Sequence, residues 1–265
     1  LGKKGKEREV IRLANQALAL QPYAKAYQYR AVAKSYLEDY QGATADIEKA
    51  VEIDPQNAAN YFMRAWLKSL IFMKTGQEDW YGVIYDFTRA IEIGLPGAEA
   101  MSGAYISRAD IKLRIEDYKG ALADLNKAIE IYPQGSSHPH NAYFDRGGLK
   151  TFLGDQQGAL ADLNKAIEIN PQLAKAYGAR GWAKKSIDGI QGACADWRKA
   201  SSLGFKDAAK WVRDQCPSEE STEGRSIPST EESSPPTLQS CRRLYIDQSE
   251  LMQCLYPNWQ PVGGW

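Results

Sequence analysis

The clearest pattern of apolar and polar positions occurs twice in the chain, in residues 120–131 and again, letter for letter, in residues 158–169. In the first copy, Ala121, Leu125 and Ala128 recur at the spacing that places side chains on one face of a helix. Each copy is followed by one further residue and then a proline, which cannot continue a helix. The pattern therefore predicts an amphipathic helix with a fixed end, and its duplication indicates an internal repeat.

The same unit can be followed along most of the chain. Residues 3–22 predict one helix with no partner helix before it, and residues 206–215 predict one more helix that caps the last unit. Between them the pattern predicts five complete units of two helices joined by a short turn: residues 24–55, 58–95, 102–133, 140–171 and 174–204. The unit at 58–95 carries about six extra residues between positions 70 and 81. Residues 1–216 are thus predicted to form one repeat domain.

The composition changes after residue 216. Residues 217–240 contain seven serines, four prolines and five glutamates, which predicts a disordered linker. Residues 241–265 form a short aromatic tail with too few side chains for a core of its own. The tail is too apolar to be left free in water, and Leu244, Leu251 and Leu255 fall at helical spacing. Because the linker keeps the tail close to the repeat domain, we expect the tail to dock there. A free tail that binds another protein is the alternative.

Aligned on this unit, the chain shows columns of similar residues. The first helices share a tyrosine and, four residues later, a small residue: Tyr27 and Ala31, Tyr61 and Ala65, Tyr105 and Ala109, Tyr143 and Gly147, Tyr177 and Gly181. The second helices share two small positions: Ala43 and Ala50, Val83 and Ala90, Ala121 and Ala128, Ala159 and Ala166, Ala193 and Ala200. A unit of about 34 residues with these columns and a final proline resembles the tetratricopeptide repeat.

The resemblance implies an all-α fold, a right-handed α-solenoid of stacked helix-turn-helix repeats with a C-terminal capping helix and a disordered linker. It also implies a concave groove, lined by the first helices, that usually holds a peptide of a partner protein. The small residues agree with this fold, because they let paired helices approach to about 8–10 Å.

Charged residues also recur once per unit. The arginine and aspartate columns pair as Arg30 with Asp46, Arg64 with Asp86, Arg108 with Asp124, Arg146 with Asp162 and Arg180 with Asp196. These columns could line a charged groove, or each pair could join the two helices of one unit, where both residues lie at about the same height. We favour the second interpretation, a structural ion-pair ladder, because a catalytic group is not needed in every unit. A lysine column, Lys34, Lys68, Lys112, Lys150 and Lys184, is expected to keep its amines in water.

The groove positions follow the tyrosine column by one, five and eight residues. The predicted peptide contacts at these positions are Gln28, Val32, Phe62, Trp66, Ile106, Asp110, Phe144, Trp182 and Lys185. This surface is apolar and aromatic in its middle, as is typical of a binding site. Packing of some of these aromatic side chains between repeats is the alternative.

Charge and hydropathy narrow the class of partner. The 33 basic and 33 acidic side chains balance, which argues against a nucleic-acid partner. No apolar run is long enough to predict insertion into a membrane. Four cysteines do not form a disulfide scaffold, which favours a reducing, cytoplasmic location.

Candidate chemistry is sparse. Cys194 lies among helix alanines and is expected to be a packing residue, while the spacing of Cys241 and Cys254 does not decide whether they form a disulfide. His138 and His140 flank a proline without further metal ligands beside them, so we expect no metal and no cofactor.

No pattern in the sequence assembles a nucleophile, a base and an oxyanion donor, and we do not expect an enzyme. The sequence predicts a non-enzymatic interaction scaffold that binds a partner peptide in the apolar groove of the repeats. The alternative is an assembly subunit that docks into a larger complex through helix edges, the insertion at 70–81 or the aromatic tail.

Overall fold

The computed structural model describes residues 3–76, 79–132 and 139–217. These residues form eleven α-helices and no strand: α1 (Lys3–Leu20), α2 (Ala24–Tyr36), α3 (Tyr40–Ile53), α4 (Ala58–Thr75), α5 (Trp80–Ile93), α6 (Ala98–Arg114), α7 (Tyr118–Ile131), α8 (His140–Leu153), α9 (Gln156–Ile169), α10 (Ala174–Ser202) and α11 (Lys206–Gln215). The predicted all-α class is confirmed. None of these helices is both long and apolar enough to cross a membrane.

Several predictions concern residues outside the described ranges. They are the disorder of the linker beyond Pro217, the docking of the tail at 241–265, and the pairing of Cys241 with Cys254. His138 also lies outside the described residues. No described residue tests these expectations, and they remain predictions.

The chain divides into two compact units, Leu1–Ile131 and Tyr132–Trp265, here called the N-terminal and C-terminal units. In the N-terminal unit, α2 packs on α3, α4 on α5 and α6 on α7. Successive pairs meet through α3 and α4 and through α5 and α6, and α1 packs on α2. In the C-terminal unit, α8 packs on α9, α9 on α10 and α10 on α11. The pairs follow the predicted repeats, and α11 takes the place of the predicted capping helix.

Small residues lie where the helices approach one another. In the N-terminal unit Ala43, Ala50, Ala65 and Ala121 have no exposed surface. Because a methyl group takes little space, the helix backbones pack closely there and larger neighbours such as Ile47 fill the remaining volume. The small-residue columns of the sequence are therefore core positions.

An aspartate fixes the turn inside four of the helix pairs. Its side chain accepts a hydrogen bond from the backbone N–H of a glycine three residues later: Asp39 from Gly42 at 2.9 Å, Asp79 from Gly82 at 3.0 Å, Asp117 from Gly120 at 2.9 Å and Asp155 from Gly158 at 2.9 Å. This contact satisfies a free donor of the first helical turn. In the last pair Gly189 replaces the aspartate, with φ of 69°, and α10 passes through it with a kink.

The extra residues at 70–81 lengthen a helix. The helix α4 has 18 residues and ends at Thr75, whereas the corresponding α2 has 13. The left-handed Gly76, with φ of 73°, then stops α4.

The next unit begins before the predicted residue 102, because Ala98 and the strong helix formers after it already belong to α6.

Cys194 is bonded to Cys216, so the expectation that it is only a packing residue is wrong. The two residues are 22 positions apart, on α10 and directly after α11. The pairing depends on α11 folding back onto α10, which the spacing of the cysteines does not reveal. Disulfides persist mainly in oxidising compartments, so the cytoplasmic location predicted from the cysteine count loses its support.

Two helical glycines test how closely the pairs are packed. At Gly181 an added Cβ would lie 2.4 Å from Nε1 of Trp197, whereas at Gly103 nothing lies within 4 Å. Gly181→Ala is expected to lower the free energy of unfolding by about 1–3 kcal/mol, because the fully buried Trp197 must shift. Gly103→Ala should raise it by about 0.5–1 kcal/mol, since alanine favours the helix. Urea denaturation measures both, and equal effects would contradict the packing described.

Candidate binding face

A buried ion pair joins the two helices of each pair. The arginine Nη2 lies 2.5–2.6 Å from the aspartate Oδ1 in Arg30–Asp46, Arg64–Asp86, Arg108–Asp124, Arg146–Asp162 and Arg180–Asp196. The aspartate side chains are at most 6 % exposed. Arginine Nε donates to the same carboxylate, which makes each contact bidentate. The structure thus brings the two columns together inside the helix pairs and not on a charged groove.

Hydrogen bonding to the carboxylates shifts two of these arginines further towards the charged form. The bond to Asp46 raises the pKa of Arg30, and the bond to Asp86 raises the pKa of Arg64. Burial acts in the opposite direction in both residues. Arg30 and Arg64 therefore stay charged inside their helix pairs.

The lysine column takes part in the same ion pairs. Lysine Nζ lies 2.8–3.2 Å from the second carboxylate oxygen in Lys34–Asp46, Lys68–Asp86, Lys112–Asp124, Lys150–Asp162 and Lys184–Asp196. The expectation that these amines stay in water is wrong. A lysine four residues after an arginine lies one turn along the same helix face, so both cations reach one carboxylate.

The tyrosine column lies against the arginines. The guanidinium carbon is 5.2–5.6 Å from the ring centroid of the tyrosine three residues earlier: Arg30 and Tyr27, Arg64 and Tyr61, Arg108 and Tyr105, Arg146 and Tyr143, Arg180 and Tyr177. This distance allows a cation–π interaction. Sequence reasoning missed it, although the Tyr-x-x-Arg spacing in every complete unit is a visible signal.

Val32 and Trp66, two predicted peptide contacts, line a recess on the N-terminal unit. The recess holds about 180 Å³ of space that opens to solvent. Its other lining residues are Ala31, Ile47, Met63 and Leu67. The ring of Tyr36, which is 52 % exposed, lies 6.5 Å from the ring of Trp66. The helices α2 and α4 therefore present an apolar recess with an aromatic edge.

Asp110, another predicted contact, lies beside Arg114 on α6. Asp110 Oδ2 is 3.9 Å from Arg114 Nε, which is longer than a hydrogen bond. The guanidinium lies 5.3 Å from the ring of Trp80 and 6.0 Å from the ring of Phe72. Burial raises the pKa of Asp110 to about 7, against the opposing charge of Arg114. Burial also lowers the pKa of Arg114. The lengthened α4 and the start of α5 thus support a partly buried charge pair.

Gln28 is not available as a peptide contact. Its side chain is buried, and its Nε2 donates to Oδ1 of Asn60. Asn60 in turn donates to the carbonyl oxygens of Ala50 at 2.9 Å and Asp54 at 2.7 Å. Gln28 therefore belongs to a polar network between two helix pairs, and the prediction that it lines the groove is wrong.

Phe62 and Phe144 pack into the cores of their helix pairs. The ring of Phe62 lies 5.6 Å from that of Phe87, against a cluster that includes Val83. Phe144 packs against a cluster that includes Leu163. Both side chains stay partly exposed, but their contacts favour the alternative that some aromatic side chains at groove positions stabilise the repeats.

Trp182 and Lys185 lie under the capping helix. The Trp182 ring is 5.0 Å from that of Trp197 and 5.4 Å from that of Trp211 on α11. Lys185 Nζ donates to Oε1 of Gln215 at 2.8 Å, and burial lowers the pKa of Lys185. Both side chains stay partly exposed, and contacts with α11 take up part of their surface, so their contact with a partner peptide stays a prediction.

Metal ligands do not converge in the described part of the chain. No group of three or more His, Cys, Asp or Glu side chains is placed there to hold a metal ion. His140 is the first residue of α8.

Comparison with protein families finds a match for three of the five helix pairs. A family model described as tetratricopeptide repeat matches residues 24–57, 102–134 and 140–173. The matched residues leave out the pair with the lengthened α4 and the last pair, in which Gly189 replaces the capping aspartate. The first of these pairs carries the extra residues at 70–81, and the second has the kink at Gly189. A comparison with curated protein sequences finds no match.

Solved structures share the fold. YrrB, described as a TPR protein with an unusual peptide-binding site, has a TM-score of 0.60 at 19 % identity over 76 % of this chain and 97 % of its own. BtubC (BKLC) from P. vanneervenii has a TM-score of 0.63 at 14 % identity over 88 % of this chain and 98 % of its own. MamA has a TM-score of 0.54 at 22 % identity over 66 % of this chain and 95 % of its own. At these identities the similarity shows the fold alone.

Removal of one ladder carboxylate is expected to destabilise the chain strongly. Asp124→Ala leaves Arg108 and Lys112 without their carboxylate partner, and their side chains are only 13 % and 17 % exposed. We expect a loss of about 3–5 kcal/mol in the free energy of unfolding, measured by urea denaturation. Glu130→Ala on the same helix is the control, because its pair with Lys127 is exposed and should contribute less than about 0.5 kcal/mol. A loss below about 1 kcal/mol for Asp124→Ala would mean that the ladder is a solvated face.

The raised pKa of Asp110 predicts stability that falls as pH rises. Between about pH 4 and pH 7 the folded chain keeps a proton that the unfolded chain, with an ordinary pKa near 3.8, has lost. The free energy of unfolding should therefore decrease across this window, by about 1–3 kcal/mol because the side chain is 22 % exposed and partly screened. Asp110→Asn should remove this decrease in urea denaturation at the two ends of the window. A pH dependence that is the same in both proteins would refute the assignment.

Proposed function

We propose that this chain, which matches the tetratricopeptide repeat at residues 24–57, 102–134 and 140–173, is a non-enzymatic interaction scaffold that binds a partner peptide through its N-terminal unit. The proposed binding face consists of Val32, Met63 and Trp66 in the recess and Tyr36 at its edge. Stacked repeats present extended surfaces for such partners. The apolar recess is the observation that carries this assignment, since the fold alone is shared by proteins with different partners.

The size of the recess favours a single peptide side chain. The recess is shallow, and its roughly 180 Å³ includes space that is open to solvent, so it is not an enclosed small-molecule site. All of its lining residues are apolar, so a peptide side chain that lies on them would remove apolar surface from water, at about 25 cal/mol per Å². The ligand class is therefore a peptide that presents one large apolar side chain.

The aromatic edge of the recess adds polar recognition. Tyr36 and Trp66 combine apolar rings with an O–H and an N–H that can hydrogen-bond to a peptide backbone. Tryptophan and tyrosine are also the side chains that most often dominate binding energies at interfaces. Ile106 and Asp110 on α6 do not line the recess and stay predicted contacts. The proposed face leaves out Gln28, which donates to Asn60, and Trp182 and Lys185, which contact α11.

A second candidate function is assembly into a larger complex through the outer surface of α5. Tyr81 is 78 % exposed and Tyr85, one turn later, is 57 % exposed. Three of the other pairs hold glutamine or lysine in place of Tyr81 and alanine in place of Tyr85: Gln41 and Ala45, Lys119 and Ala123, Gln157 and Ala161. An exposed aromatic pair on one repeat favours a docking role for that helix.

Truncation of Trp66 tests the proposed peptide site. Peptides selected by display against the full chain should lose at least about thirtyfold in affinity for Trp66→Ala, which corresponds to about 2 kcal/mol for an aromatic anchor. Tyr85→Ala is the control, because it removes an exposed ring from α5 and should leave the affinity unchanged. Fluorescence anisotropy with labelled peptides measures the affinities, and circular dichroism confirms that both variants are folded at the assay temperature.

The reverse pattern would support the assembly function. If Tyr85→Ala abolishes binding while Trp66→Ala binds as the unchanged chain does, the partner docks on α5. If selection yields no peptide that binds in solution, the recess is not a peptide site.

A further inference from the structure

The capping helix α11 is held on the C-terminal unit by an aromatic cluster. The ring of Trp211 lies 5.4 Å from Trp182, 5.7 Å from Trp197 and 5.4 Å from Phe205. Trp197 is fully buried, and Ala208 on α11 has no exposed surface. The helix therefore docks on α10 by apolar contacts.

The covered residues have the positions of the proposed binding face. Trp182 lies five residues after its column tyrosine, as do Val32 and Trp66 in the N-terminal unit. Gln215, at the end of α11, also accepts a hydrogen bond from Lys185. In the C-terminal unit, α11 thus contacts two residues at positions that the sequence assigns to the groove.

Two further contacts hold the end of α11. The disulfide joins Cys216 to Cys194 on α10, and Arg198 Nη2 on α10 donates to the carbonyl oxygen of Pro217 at 3.0 Å. A ten-residue helix such as α11 is too short to be stable on its own in water. Its position therefore depends on the aromatic cluster and on the covalent link together.

We propose that the Cys194–Cys216 disulfide is a redox latch that keeps α11 on the face of Trp182 and Lys185. When the latch is closed, α11 blocks this face. When a dithiol reductant opens it, α11 detaches and the face becomes available to a partner. The remaining helices of the C-terminal unit keep their own ion pairs, Arg146–Asp162 and Arg180–Asp196, and stay folded.

The exposure of the two cysteines sets the course of the exchange. Cys194 is 4 % exposed, whereas Cys216 is only partly buried. A thiolate of the dithiol therefore attacks Cys216 Sγ, the S–S bond breaks, and Cys194 leaves as a thiolate that takes up a proton. The second thiolate of the dithiol then attacks the mixed disulfide, releasing Cys216, which is also protonated. Two electrons pass to the protein, and the dithiol becomes a cyclic disulfide.

Hydrogen exchange read by mass spectrometry tests the latch. The full chain carries Cys241→Ser and Cys254→Ser, so that Cys194–Cys216 is the disulfide being titrated, and is compared before and after treatment with dithiothreitol. Reduction should speed exchange in residues 206–216 by at least roughly tenfold, as expected for local opening, and leave residues 140–169 unchanged. Reoxidation with oxidised glutathione should restore the protection. Adding Cys194→Ser and Cys216→Ser should reproduce the open form without reductant.

Two outcomes would overturn the latch. Unchanged exchange in residues 206–216 after reduction would mean that apolar packing alone holds α11. Lost protection across residues 140–169 would mean that the disulfide is a staple for the whole unit. The readout does not involve a peptide ligand, so it is independent of the binding site proposed for the N-terminal unit.

Discussion

The buried carboxylate at the centre of each helix pair is the group on which the rest of the structure depends. In the third complete pair, Asp124 is nearly inaccessible to water and is compensated by Arg108 and Lys112. A carboxylate removed from water in this way is costly unless both of its oxygens are paired. Because the cations come from one helix and the carboxylate from the next, the contact fixes the register of the two helices. Tyr105 lies against the arginine and helps to hold it in place.

Because the register of each helix pair is fixed, the pairs differ mainly in the side chains that they expose. Val32 and Trp66 leave an apolar recess on one face of the N-terminal unit. Tyr81 exposes an aromatic side chain on an outer helix of the same unit. In the C-terminal unit α11 packs against Trp182, and a disulfide links Cys216 to Cys194. The repeated residues therefore build the scaffold, and the proposed binding surfaces lie where one pair differs from the others.

Local periodicity explains what could be predicted from the sequence. Helical spacing and a short turn place Arg108 and Asp124 at the same height, so their pairing follows from the pattern alone. Contacts that depend on the next element do not follow. Gln28 and Trp182 have the spacing of groove residues, but a neighbouring pair buries the first and α11 covers the second. The disulfide of Cys194 was equally hidden, because it requires α11 to return to α10.

The most direct test of this account is a crystal structure of the full chain bound to a peptide selected against it. The account predicts that one large apolar side chain of the peptide enters the recess between Val32, Met63 and Trp66, with the peptide backbone against Tyr36. A peptide seated on α5 around Tyr81, with the recess empty, would contradict it.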